Sequence, residues 1–250
     1  MLFQHRFPSQ HKCTIAVTIE TVEPREILIS GRDPYKENTV FFSRSCMVEG
    51  MATFYFGMPM CPDNIDILIY DKAEGDSDDS QVFKVIELAE QPINEIPLFV
   101  DSLTRDFIKF AEEFSLKAGY LPIRNYSDPK GQFLIEYMDK IPVSTPARIH
   151  KTQDFIQADA ELIKKATVPN RLLFLTHEFS HNFLNHDQDD ETEADYYGLK
   201  LYLARGYPVI EAVYSFTSIF HDSEQSIKRL EWIDEFLKAH NLNYWDSTKP

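Results

Sequence analysis

The 250-residue chain lacks any window of 18 uninterrupted apolar residues, so it offers no helical membrane span. Its first residues, MLFQHRFPSQHK, lack the continuous apolar core and small-residue cleavage site of a secretory signal. The expectation is a cytoplasmic protein with no membrane partner. Positive charge is also short. Against 40 Asp and Glu stand 25 Lys and Arg, a net charge of −15, which would be repelled by a phosphate backbone and argues against a nucleic-acid partner. Cysteine is sparse: Cys13, Cys46 and Cys61 are irregularly spaced and form no C-x-x-C pair. They fit thiols packed as small hydrophobes in a reducing compartment, and they exclude a cysteine-rich metal site. No internal repeat is visible. Proline nearly vanishes after residue 150, with eleven of the fourteen before it and only Pro169, Pro208 and Pro250 after. That split predicts strands and turns first, helices later.

What is present is an ordinary globular composition, 43% apolar and 26% charged, in a chain long enough to bury a real core. Segments 14–21 (TIAVTIET), 26–30 (EILIS), 39–45 (TVFFSRS), 52–58 (ATFYFGM) and 65–71 (IDILIYD) are rich in β-branched and aromatic residues and read as separate strands. The stretch 73–81 (AEGDSDDSQ) reads as an acidic hairpin loop. Apolar spacing predicts a helix over 101–118, with Asp101 or Ser102 as cap and Gly119 as its stop. Residues 132–138 and 147–150 then read as strands, 154–166 as a helix, and everything from Pro169 onward as helix after helix. The expected fold class is α+β. An N-terminal antiparallel β-sandwich or barrel over 1–97 precedes a mainly helical domain with a short sheet over 98–250.

Residues 177–181, His-Glu-Phe-Ser-His, are an instance of H-E-x-x-H. On a helix, positions i and i+4 share a face one turn apart, so both imidazoles can reach one ion. Glu178 sits beside that ion, where it can take a proton from a bound water. The flanking Leu172, Leu173, Phe174, Leu175, Phe179, Phe183 and Leu184 mark a buried helix, in which two histidines and a glutamate are expensive unless paired or ligating.

A third ligand is needed. The H-E-x-x-H-x-x-G-x-x-H pattern fails, because its glycine and third histidine fall on Leu184 and Asp187. His186 points away from His177 on a continuing helix and reads as a helix-end residue facing the dipole. Asp189 or Asp190 is a natural cap for a second helix ending at Gly206-Tyr207-Pro208, and Glu193 would complete a capping box with Asp190. Glu191 and Asp195, four apart, share the face that can look back on the histidines. Glu191 is therefore the expected third ligand. Asp195 is the residue to accept the outer N–H of a ligating histidine, and Gly198 would permit close helix approach. A calcium loop does not fit, since Thr192 and Gly198 occupy the glycine and glutamate positions it requires.

H-E-F-S-H at 177–181 followed by E-T-E-A-D at 191–195, an E-x-x-A-D, resembles the gluzincin class of zinc metallopeptidases. The resemblance covers residues 100–240 and implies Zn²⁺ held by His177, His181 and Glu191, Asp195 in support, Glu178 as general base, and a peptide or protein substrate. The pattern, including GLKLYLARGYPVIEA, is also similar to metallopeptidases encoded by tailed phages of the crAss-like group. This implies a docking role for the β-rich half toward a protein assembly partner, with association to a virion. Only nine residues separate His181 from Glu191, which predicts a substrate cleft that is shallow or built differently. An oxyanion needs a further donor, and His221, Arg229, Tyr197 and Tyr196 are the candidates. The rival expectation is an assembly component that carries a structural or vestigial site.

Overall fold

The computed structural model describes residues 2–8, 11–73, 82–142, 145–150, 152–219, 223–242 and 245–248. The class is α+β: an N-terminal antiparallel sheet is followed by a helical region that carries a small second sheet.

The first sheet contains β1 (Leu2–Pro8), β2 (Cys13–Arg32), β3 (Val40–Met58), β4 (Asn64–Asp71), β5 (Phe83–Gln91) and, from the far end of the chain, β10 (Trp245–Thr248). Its order is β1-β4-β2-β3-β10, with β5 also paired to β2. The expected strands 14–21 and 26–30 are one strand, β2, and 39–45 and 52–58 are likewise one, β3. The β2–β3 ladder survives the interruption through a bulge between Thr21 and Arg25, opposite which Gly50 takes a positive φ of 72°. Because the bulge keeps the pleat in phase, Ile15, Val17 and Ile19 before it and Ile27 and Ile29 after it are all fully buried. Most of the acidic 73–81 stretch lies outside the described residues.

Helix α1 (Ser102–Lys117) starts as expected, with the Asp101 carboxylate accepting from the Thr104 N–H at 2.7 Å. Gly119 has a different job from the one its position suggested. A Cβ there would lie 2.6–2.7 Å from the carbonyl oxygens of Asn38 and Glu37, so its bareness serves close approach to the β2–β3 turn.

The second sheet has the order β6-β7-β9-β8: β6 (Asn125–Ser127), β7 (Leu134–Met138), β8 (Ala147–His150) and β9 (Phe155–Asp159). The helix expected over 154–166 is therefore half strand. Ile156 and Ala158 alternate inward and β9 runs parallel to β7, a long-range pairing with no local signal. Only α2 (Ala160–Lys165) is helical, capped by Asp159 on the Leu162 N–H.

After it come α3 (Val168–Phe183), α4 (Glu191–Ala204), α5 (Val209–Tyr214), a π-turn over Ser215–Ile219 and α6 (Ser223–His240). The succession of helices then ends in β10, which departs from the all-helical expectation. Helix α3 is the axis of the molecule. Every residue from Val168 to His177 is buried, and Phe179 stacks on Phe107 of α1 with ring centroids 4.0 Å apart. Near its start the buried Glu211 carboxylate of α5 accepts from the Ser43 N–H (3.0 Å), Thr167 Oγ1 (2.7 Å) and Asn170 Nδ2 (3.0 Å), and pairs with Arg44. One polar hub thus ties sheet, α3 and α5 together. Among the described residues no helix is long and apolar enough to cross a membrane. Cys13 is buried, and Cys46 and Cys61 are half-buried.

Candidate metal centre

The donor set is built by two antiparallel helices. On α3, His177 and His181 occupy one face, exposed by only 6% and 5%. Asp190 begins α4 by accepting from the N–H groups of Thr192 and Glu193, and the helix runs back along α3. The approach is very close. A Cβ on Gly198 would lie 2.9 Å from the His177 nitrogen and 3.0 Å from its Cα. Any larger residue would push the helices apart and open the site.

This packing brings Glu191 to both histidines. Its Oε2 lies 3.3 Å from His177 Nε2 and 3.5 Å from His181 Nε2, and the two Nε2 atoms are 3.2 Å apart. An ion held tetrahedrally with bonds of about 2.0–2.1 Å keeps its ligands about 3.3 Å from one another, so the three atoms are spaced as such an ion demands. His177, His181 and Glu191 are the one group among the described residues whose ligand atoms can hold a metal ion. Their partners turn the rings the same way. His177 Nδ1 is 3.1 Å from Asp195 Oδ1, and His181 Nδ1 is 2.9 Å from the Gln188 carbonyl oxygen. With both Nδ1 atoms turned to oxygen acceptors, both Nε2 atoms are left to face Glu191.

Electrostatics sharpen the site. Burial works against charge on His177, but the Asp195 and Glu191 carboxylates outweigh it and raise its pKa to about 10. The two imidazoles hold Glu191 far below the usual carboxylate range. Glu178 goes the other way, because burial raises its pKa against the opposing pull of His177 and His181. Its Oε2 accepts from the Ile149 N–H at 2.7 Å, on β8, the outer strand of the small sheet.

The candidates for a further donor fall elsewhere. Arg229 of α6 is 3% exposed, and its guanidinium grips Asp195, with Nε 2.7 Å from Oδ2. It therefore stands behind His177 rather than beside the donor atoms. Tyr197 is half-buried, edge-on to Tyr196, which is exposed and itself edge-on to Trp232. His221 lies outside the described residues.

Two neighbouring expectations need correction. His186 does not face a helix dipole: it is exposed, with Nδ1 2.9 Å from Glu193 Oε1. For the same reason Glu193 completes no capping box. Its carboxylate takes the His186 backbone N–H at 2.7 Å, while the Asp190 N–H goes to the Asp187 carbonyl.

Three contributions escaped sequence reasoning: the Gln188 carbonyl, the Ile149 N–H and the Asp195–Arg229 clamp. Backbone groups have no signature in side-chain identity, and Arg229 is 34 residues from its partner. No protein-family model, curated protein or solved structure matches the chain.

Proposed function

We propose that the chain is a zinc-dependent peptidase of the gluzincin type, its second half a zincin-like domain and its N-terminal sheet a docking module. The supporting observation is the donor triangle of His177, His181 and Glu191, with edges of 3.2, 3.3 and 3.5 Å. Two imidazoles and a carboxylate, with both outer imidazole nitrogens held by oxygen, suit zinc well. Bound there, the ion supplies a Lewis acid for a peptide carbonyl and a water of lowered pKa.

The chain's own groups divide the rest of the work. Asp195 and the Gln188 carbonyl orient the imidazoles. Glu178, half-buried and with a raised affinity for protons, takes a proton from the attacking water and returns it to the leaving amine. The Ile149 N–H holds the carboxylate on the β8 side of the helix. A substrate therefore meets its proton acceptor between α3 and the edge of a sheet, a setting that suits an extended peptide.

A second reading has one observation in its favour. Glu178 is already engaged by a backbone N–H, as a residue with a purely structural task would be. On that reading the metal centre braces an assembly component.

Metal analysis of the purified chain, together with cleavage of a generic peptide library with and without chelator, tests the first reading. Wild type should hold one zinc and cut, and Glu178→Gln should keep the zinc while losing about 10²- to 10⁴-fold in rate. Absence of stoichiometric metal would sink both readings. A metal-loaded but inert wild type would leave the structural one standing.

A further inference from the structure

Between β5 and α1 the chain crosses the surface as a strap, residues 92–101, with no regular structure. It is fastened near its middle: the Ile96 N–H donates to the Ala204 carbonyl at 2.7 Å, and Lys12 Nζ sits 2.8 Å from Glu95 Oε1. From Ile96 to Val100 the side chains alternate between half-buried and exposed, the period of a strand, and Phe99 is completely exposed. Yet among the described residues no backbone hydrogen bond uses Leu98 or Phe99. The alternation of its side chains and the backbone groups of Leu98 and Phe99 make this stretch a template for pairing with another extended chain.

Beside it lies a cleft of about 750 Å³, walled by Leu98 and Val100 and floored by Ile108 of α1 with Leu201 and Ala204 of α4. The charges on its rim are unequal in their commitments. Glu95 is paired with Lys12, Glu112 with Arg205 at 3.0 Å, and Asp106 with Lys130 at 3.3 Å. Arg105, whose guanidinium donates to the Val100 carbonyl at 3.4 Å and lies near Asp101, and Lys109 remain, exposed and one turn apart on α1, and among the described residues no salt bridge joins either to a carboxylate. In a chain of net charge −15, two adjacent exposed cations outside any salt bridge beside an apolar cleft are a local reversal of sign. Complementarity then specifies an anionic partner.

We propose that this cleft is a docking site for an acidic, extended segment of another protein, one that pairs with the strap and places aliphatic or aromatic side chains against Ile108 and Leu201. The proposal does not depend on the metal centre, which is built from different residues.

Fluorescence anisotropy on the full chain tests it. The probe is a labelled peptide of about ten residues, alternating Glu and Leu around a central Phe. Two counterparts replace every Glu by Gln or by Lys. The acidic probe should bind saturably in the micromolar range, about tenfold more tightly than the Gln peptide, and the Lys peptide should not bind. Raising the salt concentration should weaken the acidic probe. The double variant R105E/K109E should lose about tenfold or more in affinity. Leu98→Ser tests the apolar wall separately, and unfolding midpoints establish that both variants are folded. Binding should persist in chelator and in Glu178→Gln, which separates it from occupancy of a peptidase site. Equal affinity for the three peptides, undiminished binding by folded R105E/K109E, or no saturation up to about 1 mM would overturn the proposal.

Discussion

The two ends of α3 each carry a buried polar cluster, and they are finished differently. At the N-terminal end, the Glu211 carboxylate receives donors from Ser43 and Arg44 of β3 and from Thr167 and Asn170 at the start of α3. Its charge is compensated from within the protein. At the C-terminal end, two imidazole nitrogens and a carboxylate oxygen converge within 3.5 Å, and Glu191 is 58% exposed on its side chain. That set gathers three possible ligand atoms about one point, and it opens to solvent. A network of donors around one carboxylate holds elements together, whereas a convergent set of ligand atoms is arranged for something that arrives from outside.

Breaking the two ends should have different consequences. The largest effect is expected from His181→Ala, which reduces the donor set to two and should abolish stoichiometric zinc, measured after equilibrium dialysis, while the chain stays folded. Zinc retained at one per chain would mean that the triangle is not the binding site. At the other end, Glu211→Ala leaves Arg44 without its carboxylate and should cost about 3–5 kcal/mol in denaturant unfolding. A loss under about 1 kcal/mol would show that the hub contributes packing and little else.

Arg229→Met removes the clamp behind Asp195 without touching a ligand. It should weaken metal affinity by about 10- to 100-fold, read by competition with a chromophoric chelator. If the affinity is unchanged, the carboxylate needs no clamp to orient His177.

The smallest effect per step is that of pH. Because its carboxylate neighbours raise the pKa of His177 to about 10, the metal-free site holds a proton at neutral pH that zinc must expel. Apparent affinity should therefore rise about tenfold for each unit of pH below that value, with release of one proton measurable by calorimetry in buffers of different ionisation enthalpy. A flat profile would place the proton elsewhere.

The site was legible in the sequence to an unusual depth because helical geometry converts spacing into position. His177 and His181 share a face by count alone, and a short connection after them forces the next helix back along the first. From that, Glu191 and Asp195 fall on the inner side and Gly198 at the point of contact. The reading stopped where backbone groups or distant residues take part. Nothing in the identity of Gln188 foretells that its carbonyl holds His181, and nothing local turns Arg229 toward Asp195. His186 was misread because two residues on either side of a loop, seven apart, found each other in preference to the helix end.

The fold was legible in outline. Chemistry and period picked out the residues of β2, β3 and β4 but not the strands β1 and β5, nor that β2 and β3 each run unbroken past a bulge in β2. Periodicity also failed over 155–159, where a short strand next to a helix start looks like the helix itself.

By itself, then, the sequence determined what depends on neighbours within a turn or two: the two helix starts to within a residue, the paired histidines, the inward carboxylates and the α+β class. Those follow from the fixed rise and twist of a helix and the alternation of a strand. Tertiary structure alone decided the parallel pairing of β9 with β7, the return of β10 to the first sheet, the clamp on Asp195 and the anchoring of Glu178 by β8. Each of these joins groups far apart in the chain, where loop closure and burial set the outcome and residue spacing carries no information about which partner is met.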